Sequence, residues 1–229
     1  MGSRDRRFVV LDTENTGLER LQTGLLNAPT ALKIRGSEVC QIGGLILDEQ
    51  MVPLRLFCLY CDTVVADSSL TAYNVHGIAQ RDVRRYLAGQ FLPEVMTVYL
   101  PELFDPNIIF IGYNIEYDMS MIAQTLSNSP VDWTWRRLVS SIIPRTGRWS
   151  IDVAEYVKMR GAYLRLSTFE KQLETARNQF FDIISTSMRI DTNCPELLAP
   201  SLKRAHSAFY DAVNTYLLWG EKVWKKKLV

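Results

Sequence analysis

The stretch from Phe8 to Leu18, FVVLDTENTGL, constrains this chain more than any other. It opens as a short apolar run with two β-branched valines, the composition of a strand buried on both faces. It closes in two carboxylates, Asp12 and Glu14, one residue apart. Positions i and i+2 of a strand point to the same side, so both acids project together from the strand's carboxyl end. Asn15, Thr16 and Gly17 then turn the chain. Two like charges on one face repel unless a positive charge sits between them. A hard divalent cation with oxygen ligands meets that need. A strand ending in a solvated acidic turn would carry the same residues, so the stretch acquires meaning only from the rest of the chain.

Residues 39–48, VCQIGGLILD, and 53–62, PLRLFCLYCD, read as two further strands, joined as a hairpin by the turn at Asp48–Met51. Between the first strand and this hairpin, residues 19–37 carry no sustained strand period and form a long loop. Its Lys33 and Arg35 could touch nucleic acid or stay solvated. Cys58 and Cys61 make a CxxC, but in a strand i and i+3 face opposite sides. With no second CxxC, reduced and buried thiols are expected rather than a zinc site.

Residues 67–92 look helical, interrupted at Asn74–His76–Gly77, and FLPEVMTVYLPELFD is a helix kinked at its prolines. Asn107–Gly112 is a second short buried strand. Directly after it, Ile115, Met119, Ile122 and Leu126 recur at helical spacing. Asn114 and Asp118, four apart, would share a face near that helix's start. A helix that follows a buried strand directly begins beside the sheet's carboxyl edge, where Asp12 and Glu14 project. A first-turn acid favoured by the helix dipole would look the same.

Residues 131–148 mix Trp133 and Trp135 with Arg136, Arg137, Arg145 and Arg148, which suits base stacking or a solvated face. An edge strand is expected near Trp149–Val153, helices at about 154–160 and 167–178, and an irregular stretch or short helix at 179–203. The last helix has Ser207 as its N-cap. Five residues of continuous helix would set His206 and Asp211 about 140° apart. On the preceding loop, the His206 ring can instead swing toward the space that Asp211 faces.

Charge narrows the options for binding. The net charge is +1, so a general basic coat for nucleic acid is absent. Phosphate binding must come from a local groove or from metal ions. No apolar run reaches membrane-spanning length, and MGSRDRRF is not followed by a signal-peptide core. A cytoplasmic protein with no membrane association is the expectation. There is no internal repeat or Gly/Ser linker. One domain over 1–229 is therefore expected, with its core at about 8–219 and a basic tail at 221–229.

Taken together, DTENTGL, GYNIEYDMSMI and HSAFYDA resemble the three motifs of the DEDDh 3′-to-5′ exonucleases, a proofreading-type family of ribonuclease H-like fold. VHGIAQRDV resembles the family's segment between the first two motifs, and the resemblance spans about residues 8–219. It implies an α/β fold, a mixed five-stranded sheet with helices on both faces. It implies that Asp12, Glu14, Asp118 and Asp211 hold two Mg²⁺ or Mn²⁺ ions and that His206 is the general base. Thr13, Asn15, Thr16, Gly17 and Leu18 would contact the terminal nucleotide. Asn114 would help position Asp118 or the strand. His76 matches a position near the substrate phosphate, or is a structural turn histidine. The implied substrate is a single-stranded DNA or RNA 3′ end, with DNA favoured. Asn15 stands where the family usually has Thr. The segments 19–37 and 179–203 are longer than in compact members and could dock substrate or a protein partner.

Overall fold

The computed structural model describes residues 7–17, 37–64, 67–130, 150–158, 164–202 and 205–224. Its centre is a mixed sheet of six strands in the order β5-β4-β1-β2-β3-β6. These are β1 (Phe8–Asn15), β2 (Val39–Leu47), β3 (Pro53–Tyr60), β4 (Ile109–Gly112), β5 (Ser150–Asp152) and β6 (Ile190–Asp191). β1 and β2 pair antiparallel, as do β2 and β3, while β1–β4, β4–β5 and β3–β6 are parallel. β2 thus runs against the other five. The carboxyl ends of β1, β4 and β5 meet on one edge.

Two cores lie on the two faces, because alternate residues of each strand point opposite ways. Val10, Leu45, Cys58 and Ile111 face one core, closed by α5 (Glu170–Ser187) and α7 (Ala208–Trp219). Val9, Leu11, Ile42, Phe57 and Phe110 face the other, closed by α3 (Leu92–Tyr99) and α4 (Ile115–Asn128). Cys58 and Cys61 fall in different cores, and the four cysteines are free and buried. The short helices α1 (Leu70–His76) and α2 (Gln80–Leu87) connect the hairpin to α3, with Gly77 at φ 72 ending α1 in the left-handed conformation that glycine adopts freely.

Two expectations change. The segment 179–203 is neither irregular nor a single short helix. α5 continues to Ser187, and β6 and then α6 (Pro195–Ser201) follow. This adds a sixth strand to the five expected. It is tied down at Tyr60, whose main chain exchanges two 2.9 Å hydrogen bonds with the Asn193 side chain and whose hydroxyl donates to Leu197 O at 2.7 Å. In place of a helix at 154–160, the described residues form a 3₁₀ turn at Val153–Tyr156. The loop at 19–36, the Trp/Arg stretch at 131–148 and the end of the basic tail lie outside the described residues. Among the described residues, no helix is long and apolar enough to cross a membrane.

Candidate active site

The site starts with the register of β1 on β2. Asp12 stands opposite Gly43, and Glu14 opposite Gln41. Opposed residues share a face, so all four lie on the side that α7 covers. Gly43 lets the first turn of α7 press directly on the sheet. A Cβ there would fall 2.2 Å from the Phe209 nitrogen and 2.5 Å from the Ala208 carbonyl carbon. Gln41 Oε1 accepts a hydrogen bond from the Ala208 N–H at 2.8 Å, satisfying one of the orphan donors of a helix start. Ser207 caps the same end by accepting from the Tyr210 N–H at 3.3 Å.

This seating brings Asp211, in the first turn of α7, to the acids of β1. One carboxylate oxygen each from Asp12, Glu14 and Asp211 lies within 4.8 Å of the others. His206 precedes the cap at φ 62. That left-handed turn brings its Nδ1 to 3.8 Å from Asp211 Oδ2.

Asp118 approaches from α4, on the other side of β1. Its Oδ1 accepts from the Thr13 N–H at 2.9 Å and from the Thr13 hydroxyl at 2.8 Å. Thr13, lying between the two acids of β1, thus ties the third to them. Asn114 is not within the helix. It is the N-cap of α4 at φ 62, its side chain makes no capping bond, and the shared helical face with Asp118 does not form. Its main chain is held by Asp152 at the end of β5, whose Oδ1 accepts from the Asn114 N–H at 2.8 Å. Asp152, Gln41 and Gly43 were not singled out from the sequence. Only Gly43 carried a signal, since a glycine inside a strand marks close backbone approach.

The expected nucleotide contacts are mostly tied into the turn itself. The Thr16 N–H donates to Glu38 O at 2.8 Å, and Thr16 Oγ1 accepts from the Glu38 N–H at 2.9 Å. Gly17 is packed so closely that a Cβ would lie 2.7 Å from Ser37 Oγ. His76 is buried, and its Nδ1 accepts from the Ile78 N–H at 3.0 Å. The proton is therefore on Nε2, which donates to Asn15 O at 3.0 Å. Both ring nitrogens are committed to the main chain, so the geometry favours the structural turn histidine, pinning the end of β1. Leu18 lies outside the described residues.

Burial dominates the electrostatics. Burial, and then the charges of Asp118, Asp211 and Glu14, raise the Asp12 carboxyl well above its ordinary range. Burial and the charges of Asp211 and Asp118 do the same to Glu14. Burial pushes Asp118 from 3.8 up to about 7, outweighing the two Thr13 hydrogen bonds. Burial also pushes Asp211 up to about 6, opposed by His206. A carboxyl whose folded pKa is raised binds more protons folded than unfolded, so stability falls as pH rises between the two values. For Asp118 that window runs from 3.8 to about 7. Thermal unfolding in EDTA should show a melting temperature that declines across this window, with a shallower decline in Asp118→Asn. A slope unchanged by the substitution would show that Asp118 is not under this strain.

Gly43→Ala tests the seating of α7. The clashing atoms are backbone, so no rotamer change relieves them. Overpacking of this kind costs about 1–3 kcal/mol, and any outward shift of α7 carries Asp211 and His206 away from β1. Denaturant unfolding should show that loss, and turnover should fall with it. An unchanged midpoint would mean that the sheet and helix part without cost.

No family model and no curated protein matches the chain. Solved structures do. The chain is similar to E. coli exonuclease I in complex with a dA16 oligonucleotide, at 13% identity and a TM-score of 0.55, over 97% of this chain and 42% of that one. It is similar to the moderately thermophilic exonuclease I of Methylocaldum szegediense at 16% identity and a TM-score of 0.51, over 96% and 41%. The zinc-bound complex of E. coli exonuclease I with single-stranded DNA matches at 13% identity and a TM-score of 0.55, over 97% and 42%. The likeness is one of fold. A mixed α/β sheet with helices on both faces, ribonuclease H-like, is what these chains share, and this chain spans less than half the length of those it matches.

Proposed function

We propose that the chain is a metal-dependent 3′-to-5′ exonuclease that removes nucleoside monophosphates from the 3′ end of single-stranded nucleic acid, with DNA favoured. The observation that carries this reading is the convergence of Asp12, Glu14 and Asp211 within 4.8 Å, with Asp118 tied in through Thr13. Single-stranded DNA in the exonuclease I complexes of like fold supports the choice of substrate.

The donor set fits hard divalent cations. All four side chains offer carboxylate oxygen, and burial raises all four carboxyls, with repulsion from neighbouring acids of the group adding to it at Asp12 and Glu14, which a cation would relieve. Asp12, Glu14, Asp118 and Asp211 would hold two Mg²⁺ or Mn²⁺ ions. When bound, such ions neutralise the phosphodiester's charge, acidify the attacking water and stabilise the leaving oxygen.

The chain's own groups supply the rest. Thr13 fixes one oxygen of Asp118, and Gln41 and Ser207 fix the start of the helix that bears Asp211. His206 has an exposed side chain beside Asp211. With Nδ1 turned to that carboxylate, Nε2 is the nitrogen that takes the water's proton. Asp211 then faces the imidazolium that forms, which favours the transfer.

Linear and circular single strands of equal length separate this reading from an endonuclease. In Mg²⁺ the linear DNA should shorten from its 3′ end and the circle should persist. Cutting of the circle at a similar rate would contradict the assignment.

A further inference from the structure

The interface between α5 and α7 holds a buried cation that the acids above do not account for. Arg177 is 8% exposed, and arginine is almost never so buried unless paired. Among the described residues, no carboxylate pairs with it. Its Nη1 donates to Asn214 Oδ1 at 3.0 Å and reaches the Glu170 carbonyl oxygen at 3.5 Å. The guanidinium lies over the Tyr210 ring, 4.6 Å from the centroid. These contacts use one nitrogen and one face. Among the described residues Nε and Nη2 complete no hydrogen bond, and neither is sealed inside the protein.

That free edge has a space beside it. Arg177 and Tyr210 line a cavity of about 320 Å³, whose other walls are Asn178, Phe181 and Asp182. Asn178 and Asp182 are exposed and form the rim, while Arg177 and Tyr210 are buried and form the floor. Asp182 is the acid among these five residues, and it makes no ion pair with Arg177. Nε–H and Nη2–H are adjacent donors of the planar guanidinium fork, the edge that receives a phosphate through two parallel hydrogen bonds. The Asn214 bond to Nη1 holds the fork in one orientation, so less freedom is lost when the edge is filled. Position favours the substrate as the source of that phosphate. Tyr210 directly precedes Asp211 in the first turn of α7. The chain carries a net charge of only +1, so a strand's phosphates must find local cationic contacts.

We propose that the cavity between α5 and α7 binds one backbone phosphate of the single strand, on the 5′ side of the scissile bond, through the Nε–Nη2 edge of Arg177. The inference rests on the exonuclease reading of the site. A strand whose 3′ end lies at the carboxylates has only 5′-side phosphates left to reach this cavity.

Equilibrium binding of single-stranded DNA by the full chain in Ca²⁺ tests it, with one phosphate at a time replaced by an uncharged methylphosphonate. In the wild type, one internal replacement should weaken binding about 10–100-fold, the value of a hydrogen-bonded charge contact. Arg177→Met should weaken binding of the unmodified strand by a similar factor and abolish the effect of that replacement. Its slope of log affinity against log salt should be shallower by about 0.7, one phosphate contact on a single strand. A merely structural arginine would lower the melting temperature and leave the methylphosphonate profile unchanged in shape. If Arg177→Met fails to fold, the exposed rim decides the question. Asp182→Asn should tighten binding and Asn178→Asp weaken it, each by about twofold to fivefold, and neither should matter once the critical phosphate is uncharged. A wild-type profile in Arg177→Met, or rim variants that act equally on every strand, would overturn the phosphate site and leave the exonuclease reading standing. Arg177-dependent binding of inorganic phosphate, with no Arg177-dependent position along the strand, would overturn the assignment to the substrate. Absence of single-strand binding by the wild type would overturn both readings, and is seen without any variant.

Discussion

Asp12→Ala should lose nearly all turnover and yet unfold at a higher temperature than the wild type in metal-free buffer. The two effects have one cause. Asp12 sits at the centre of the acidic group, and its carboxyl is raised by burial and then by Asp118, Asp211 and Glu14. Removing it relieves repulsion in the free protein. It also removes a ligand oxygen from the set that would hold divalent ions against a phosphodiester, and four carboxylates without such ions repel that substrate. The surrounding fold does not depend on the side chain, because the β1–β2 ladder at Asp12 and Gly43 is main chain. Thermal unfolding with EDTA and with Mn²⁺ checks both halves. The wild type should gain stability from Mn²⁺, and the variant should gain much less. Near-normal turnover in Asp12→Ala would remove the residue from the site.

Loss of the His206 imidazole should slow the chemical step by about 10²–10⁴-fold, the usual contribution of a general base. The role is realised in the transition state, so binding of an oligonucleotide in Ca²⁺ should hardly change. The backbone calls for a second variant. At φ 62, a residue with a Cβ pays roughly 1–2 kcal/mol that glycine avoids. His206→Gly removes the ring without that strain, and His206→Ala removes it with the strain retained. If chemistry is what the ring contributes, the two variants should slow by the same factor in single-turnover assays. A large difference between them, or an effect confined to binding, would make His206 a residue of the turn or of the substrate contact.

Periodicity and position along the chain made much of the molecule legible in the sequence. The apolar runs at Val9–Leu11 and Ile109–Ile111 are buried strands, and Ile115, Met119 and Ile122 face the core as their spacing requires. The carboxyl end of β1 was legible because two acids one residue apart must share a side. The placement of His206 outside the helix was legible from Ser207 as a cap, and the cap forms. What escaped was set by tertiary contact. Gln41 and Gly43 seat α7 on the sheet, yet the Gln41–Ala208 contact spans 167 residues of chain. α5 runs on beyond residue 178 to Ser187, and its buried stripe, Leu173, Arg177, Phe180 and Ile184, contains a charge where an apolar residue is expected. The period continues through that position, where the Asn214 amide and the Tyr210 ring receive the guanidinium. β6 has two residues, too few for any period to register.

The central claim, metal-dependent removal of single nucleotides from a 3′ end, is tested most directly by following a 3′-terminal label on single-stranded DNA. The account predicts that in Mg²⁺ or Mn²⁺ the label leaves as a nucleoside monophosphate in the first turnover, and that EDTA stops its release. Release of the label within a longer oligonucleotide, or at the same rate in EDTA, would contradict it.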